Sequence, residues 1–337
     1  MTNFSFKAWN KILGWLVFVI ALTTYTLTLE PTSSFWDSGE YISTSANLEV
    51  GHPPGAPLYQ MMGAFFATFA ADSSQVALML NFMSGLASAF TILFMFWSIV
   101  MLLLKVTGPP EEMTRATKTA ILGSAFIGAL TFTFTDSFWF SAVETEVYAM
   151  AACIMAILFY VGLLWERDMF EPRGNRWLIL ISLIIGLTLG VHFMSLLTIP
   201  AIGLLYFFKN YQKVSVANFI IANIAVVAVL MFIFKFLLPY TLAFFGHTEV
   251  FFTNSIGLPF NSGTIIAFLL IIGAFYFGIR YTLKREYYQL NTLFLCILFI
   301  FIGFSSWMML PIRANANTVI NQNSPDDARE LLAYYNR

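Results

Sequence analysis

Charge is what this chain has least of. Asp, Glu, Lys and Arg make up 10% of its 337 residues, against roughly 25% in an ordinary soluble domain. The 17 Lys and Arg nearly cancel the 18 Asp and Glu, and no basic cluster stands out, which excludes nucleic acid as a main partner. Cysteine is almost missing: Cys153 and Cys296 both lie inside apolar runs, as small hydrophobes do, so neither a disulfide scaffold nor a zinc site is expected. There is no P-loop, no His-Glu-x-x-His and no Gly-x-Ser-x-Gly, which removes support for nucleotide-driven transport and for the common hydrolase sites. The first apolar stretch has no small-residue cleavage site before Glu30 and reads as an uncleaved span.

What is abundant is apolar surface, 59% of the residues. Unpaired backbone groups are costly in hydrocarbon, so each long run should be helical, with about 20 residues needed to cross about 30 Å of lipid. These proportions define an all-α integral membrane protein. Nine spans are predicted, near residues 12–29, 76–104, 119–135, 147–165, 177–191, 194–208, 215–238, 264–283 and 289–310. Leu58 to Ala71 follows a Pro-rich turn and is too short to cross, so it reads as an interfacial or re-entrant helix. With a cytoplasmic N-terminus, 13 of the 17 Lys and Arg fall in or beside cytoplasmic segments, as the positive-inside rule requires. Residues 1–310 then form the membrane domain, and 311–337 begin an extracytoplasmic region.

The outer loops have the opposite character. They hold Glu30, Asp37, Glu40, Glu49, Asp72, Asp136, Glu144, Glu146 and Glu249 with all three histidines, His52, His192 and His247. Any chemistry is therefore expected on the outer face. Asp37 and Glu40 are three apart, share one face of a helical turn and could act on one hydroxyl. The plain alternative is a capping box at Ser34 and Asp37, or acids that only start a surface helix. Pro53 and Pro54 stiffen the turn that holds His52, which is then a helix cap or a ligand contact. Glu144 and Tyr148 would share a helical face at i and i+4, leaving Glu146 pointing elsewhere; the competing account is an aromatic belt of Phe138, Trp139, Phe140 and Tyr148 at headgroup level. Lys235, in an apolar run, either snorkels to the outer headgroups or joins Arg313 and a histidine on a lipid phosphate.

The segments Trp36-Asp-Ser-Gly-Glu40, Gly51-His-Pro-Pro-Gly55 and Val143-Glu-Thr-Glu-Val-Tyr148, with Gly190-Val-His192 further on, together resemble a bacterial membrane family related to vertebrate endoplasmic-reticulum protein O-mannosyltransferases, within the glycosyltransferase C superfamily. The resemblance implies a glycosyltransferase C-like helix bundle whose first extracytoplasmic loop contains short helices. It implies transfer of a sugar, mannose by analogy, from a polyprenyl-phosphate carrier to Ser or Thr of an exported protein, at the periplasmic face of a bacterial inner membrane. Asp37 would be the catalytic base, with Glu40 the second acid of its motif and Glu40 or His52 orienting the acceptor. Lys235, Arg313 and His192 would balance the leaving phosphate, and Glu144 and Tyr148 would contact substrate. No cofactor is required; a divalent metal on the outer acids stays open as an alternative, with no ligand spacing behind it. An inverting single displacement is expected. Three other readings stay open: a lipid or envelope-glycan acceptor, a secondary transporter, and a non-catalytic scaffold.

Overall fold

The computed structural model describes residues 5–337, and they form a bundle of α-helices with no strand among them. In chain order the helices are α1 (Phe6–Leu27), α2 (Ser38–Asn47), α3 (Pro57–Ala67), α4 (Val76–Thr107), α5 (Arg115–Thr133), α6 (Asp136–Ala142), α7 (Val147–Asp168), α8 (Asn175–Thr188), α9 (Thr198–Asn210), α10 (Val216–Met231), α11 (Leu238–Val250), α12 (Ser262–Lys284), α13 (Tyr288–Phe304), α14 (Met309–Ala314) and α15 (Ala328–Tyr335). All nine apolar runs are helical. Among the described residues seven helical segments are long and apolar enough to cross a membrane, and α5 with α6, bent by 68°, makes an eighth. The remaining run, α8, has 14 residues, short of the usual span length. The segment after the Pro-rich turn is the 11-residue α3, as its length requires.

The largest departure from the expected boundaries is at Pro239. A helix ending near residue 238 is predicted, yet α10 and α11 run on as one 40-residue helical stretch, Val216–Ser255. Proline removes the N–H that would bond back to residue 235, and a π turn over Phe232–Leu237 absorbs the mismatch without ending the helix. Glu249 then ties this helix to α12: its carboxylate accepts from the backbone N–H of Asn261 (2.6 Å) and Thr264 (2.7 Å) and from the hydroxyls of Thr253 and Thr264 (both 3.0 Å). A buried carboxylate is thus satisfied by the N–H groups that α12 leaves unpaired at its start.

Two packed layers frame the site. The long α4 lies against α1, α5 and α7, while the short α8 is held between α7 and α13. Gly186 and Gly303 allow the α8 and α13 backbones to touch: a Cβ on Gly186 would fall 2.2 Å from the Ile300 carbonyl oxygen. At one end of the bundle Lys105 (α4) donates to Glu166 (α7), which also lies 3.5 Å from Lys209 (α9). The opposite end carries α2, α3, the α6–α7 link and the segment after α13. That segment folds back rather than leading away, for Val50 forms an isolated parallel bridge with Asn321 and α15 packs on α11.

Candidate active site

Asp37 occupies the N-cap position of α2, but its carboxylate makes no cap bond to that helix. The capping-box alternative therefore fails on both members, since Ser34 donates instead to Glu144 (2.5 Å). The Asp37 side chain is 59% exposed, on the wall of a cavity of about 120 Å³ lined also by Tyr41, His52, Glu146, Tyr148 and His192. Residue 36 makes this placement possible: Trp36 has φ 61°, in the left-handed region, and the turn brings the Asp37 N–H onto the Glu146 carboxylate.

Glu40 faces inward from the next turn of α2. Its Oε1 accepts from the His52 backbone N–H (2.6 Å), from His52 Nδ1 (3.1 Å) and from Gln322 Nε2 (3.1 Å). A carboxylate only accepts, so the His52 proton sits on Nδ1 and Nε2 is left facing Asp37 Oδ2 at 4.0 Å. Glu40 is thereby a clamp on the His52 ring, and the two acids of the motif do different work. Asp37, Glu40 and His52 also offer three ligand atoms within 4.8 Å of one another, the donor set a divalent cation would use. In the geometry present, Glu40 is already engaged by three hydrogen bonds.

The second acidic cluster corrects the helical reading of residues 144–148. α6 ends at Ala142 and α7 begins at Val147, with Glu146 extended at φ −143° as its N-cap. The i, i+4 argument does not apply to non-helical backbone. Glu146, expected from the helical spacing to point elsewhere, is the glutamate of this cluster that lines the cavity; Glu144 is turned to Ser34 and the first loop, outside the cavity lining. Both carboxyls are buried, and burial is the main reason both titrate high. For Glu146, burial with the added charges of Asp37 and Glu144 raises the pKa to about 7.

His192 sits beside α7, its ring 5.3 Å from that of Tyr148. Its Nδ1 accepts the Met194 N–H (3.1 Å), which leaves the proton on Nε2, and burial lowers its pKa. It is a neutral hydrogen-bond donor at neutral pH. The two cations expected beside it are elsewhere. Arg313 donates to the carbonyls of Asn47 (3.1 Å) and Leu48, the free acceptors at the C-terminal end of α2. Lys235 lies over the Phe234 ring (4.8 Å), which packs on Phe193; Phe193 lines the cavity and Lys235 does not. Of the residues singled out in the sequence, the structure brings together Asp37, Glu40, His52, Tyr148 and His192. Sequence spacing carried no signal for Tyr41, one turn after Asp37 on α2, or for Gln322 and Tyr334, which reach the site through tertiary contacts alone.

Fold and site together describe a multi-span membrane protein with an acid- and histidine-lined cavity at one end. Residues 37–215 match the family model described as the Protein O-mannosyl-transferase TMEM260 N-terminal domain, and the chain belongs to that family. It is 26% identical over 197 residues to Protein O-mannosyl-transferase tmem260 of Dictyostelium discoideum, covering 55% of this chain and 22% of that protein. To Protein O-mannosyl-transferase TMEM260 of Mus musculus it is 25% identical over 151 residues, 45% of this chain and 19% of the mouse protein. The matched region thus spans about a fifth of each relative's length. No solved structure matches the chain. The family match takes in Asp37, Glu40, His52, Glu146, Tyr148 and His192.

Proposed function

We propose that this chain is the membrane portion of a glycosyltransferase that moves mannose from a polyprenyl-phosphate carrier to a Ser or Thr hydroxyl of an exported protein. On this reading the enzyme belongs to the glycosyltransferase C superfamily and lies in a bacterial inner membrane with nine spans, its N-terminus cytoplasmic and its cavity facing the periplasm. The charge asymmetry supports that orientation, since the cavity end collects the histidines and most of the acids and the other end most of the Lys and Arg. The observation that carries the chemistry is that Asp37, free of any capping bond, shares a cavity wall with His52, Glu146, Tyr148 and His192.

A hydroxyl is a poor nucleophile until its proton is taken. Asp37 accepts that proton as the acceptor oxygen bonds to the anomeric carbon, and the carbon–oxygen bond to the lipid phosphate breaks with its electron pair leaving on the phosphate. A single displacement of this kind inverts the anomeric centre. His52, held by Glu40, sets its Nε2 beside Asp37. Protonated Glu146 and the Nε2–H of His192 donate to sugar hydroxyls or phosphate oxygens. The mechanism assigns no phosphate role to Arg313, whose Nε and Nη2 donate to the Leu48 and Asn47 carbonyls, or to Lys235, and neither cation lines the cavity. The test is transfer of labelled mannose from polyprenyl-phosphate-mannose to exported protein, in membranes carrying wild type or Asp37→Asn at equal abundance. The variant should lose about 10²- to 10⁴-fold in rate. Equal rates would remove Asp37 as the base, and absence of transfer by the wild type would reject the donor or acceptor.

A further inference from the structure

The turn that carries His52 is held from a part of the chain far outside the region matched to the family, which ends at residue 215. Val50 N–H donates to the Ile320 carbonyl (3.1 Å) and Gln322 N–H to the Val50 carbonyl (3.0 Å), so residues 320–322 run alongside the start of the turn. The Val319 N–H adds a bond to the buried Glu49 carboxylate (3.2 Å). Two side chains then reach further in. Gln322 Nε2 donates to Glu40 Oε1, the same oxygen that holds the His52 ring. The Tyr334 hydroxyl donates to the Gly51 carbonyl (2.6 Å), next to His52, and is itself buried. The Tyr334 ring also closes against Gly55, where φ is +81° and a Cβ would fall 2.8 Å from the ring. Only glycine fits that contact and that backbone.

Those bonds constrain His52 from both sides. The Gln322 amide, by donating to Glu40 Oε1, fixes the carboxylate's position, and the Tyr334 hydroxyl, by donating to the Gly51 carbonyl, fixes the peptide from which His52 projects. Loss of either contact would leave the ring joined to Glu40 but free to swing its Nε2 away from Asp37.

We infer that Gln322 and Tyr334 are positioning residues, which hold the His52 ring against Asp37 by locking Glu40 and the Gly51 peptide. The inference deepens the acid–base reading of the cavity and rests on it for its catalytic consequence, but its structural content can be tested without turnover. The experiment is carbethoxylation of the protein in its membrane with diethyl pyrocarbonate, followed by peptide mass spectrometry, with His192 as the internal reference. Wild type is compared with Gln322→Leu and Tyr334→Phe. Each variant should raise His52 modification relative to His192 by about tenfold, the equivalent of one lost hydrogen bond to a charged or buried group. In the mannose assay each should lower kcat and leave KM for the lipid donor unchanged. An unchanged His52-to-His192 ratio in both variants overturns the inference. So does failure of both variants to accumulate in the membrane, since Tyr334→Phe removes a single hydroxyl and a loss that general would mark the contacts as scaffolding. If wild type transfers no mannose while the ratio still rises, the positioning stands and the transferase reading falls.

Discussion

Two carboxyls on one cavity wall do opposite things because their surroundings differ. Asp37 is largely exposed, while Glu146 is buried beside it and titrates near 7. Raised from 4.5, the Glu146 pKa makes folding bind a proton that the unfolded chain has released, so stability falls as pH rises from about 4.5 to about 7 and levels off above. Glu146→Gln removes that penalty, at most on the order of 3 kcal/mol. Its thermal midpoint should exceed that of wild type by more at pH 8 than at pH 5, and parallel midpoints would show that Glu146 stays ionised in the fold. The same group gives a kinetic signature. If protonated Glu146 donates to substrate, wild-type transfer declines above about pH 7, whereas the Gln variant, which keeps an N–H donor, should lose that alkaline limb in a pH–rate profile.

At the scale of elements, α8 decides how the cavity wall stands. It is short for a membrane span, and what holds it is the glycine crossing with α13, where backbone meets backbone at Gly186 and Gly303. Trp307, following α13, adds an Nε1–H bond to the Leu189 carbonyl at the end of α8 (2.8 Å), just before the Val191–His192 corner of the cavity. Gly186→Val should therefore cost roughly 1–3 kcal/mol by forcing the two helices apart. The expected readout is a lower unfolding temperature in detergent together with reduced transfer, and a variant as stable as wild type would show that the crossing is not tight. By contrast α10 has no buried residue and packs chiefly on α9, so lipid must cover most of its surface.

For the whole molecule, the two ends of the bundle are chemically distinct. Lys105, Glu166 and Lys209 knit three helices at one end, and the site occupies the other. Cysteine labelling tests which end is outside. With a cytoplasmic N-terminus, Ser33→Cys on the exposed first loop should react with a membrane-impermeant maleimide in intact cells, while the exposed Glu111→Cys beyond α4 should react only after permeabilisation. The reverse pattern would invert the topology and put the cavity in the cytoplasm. Native background should be low, because Cys153 is buried and Cys296 is partly buried within the apolar bundle.

The sequence alone determined that this is a helical membrane protein, where its apolar runs lie, and that acids and histidines gather on one face. Those features follow from composition and local patterning, because lipid leaves the backbone few alternatives to the helix. Asp37, Glu40 and His52 were legible for the same reason: their spacing lies within one loop and one helical turn. Glu146 was not, because a break in the helix at residues 143–146 reversed which glutamate faces inward, and no local residue announces that break. Arg313 and Lys235 looked like phosphate ligands as isolated cations, and only the fold shows the carbonyls of α2 and the Phe234 ring that engage them. The hold of Gln322 and Tyr334 on the His52 turn joins residues more than 280 positions apart. Such contacts depend on how the chain returns to itself, a property of packing that no window of sequence contains.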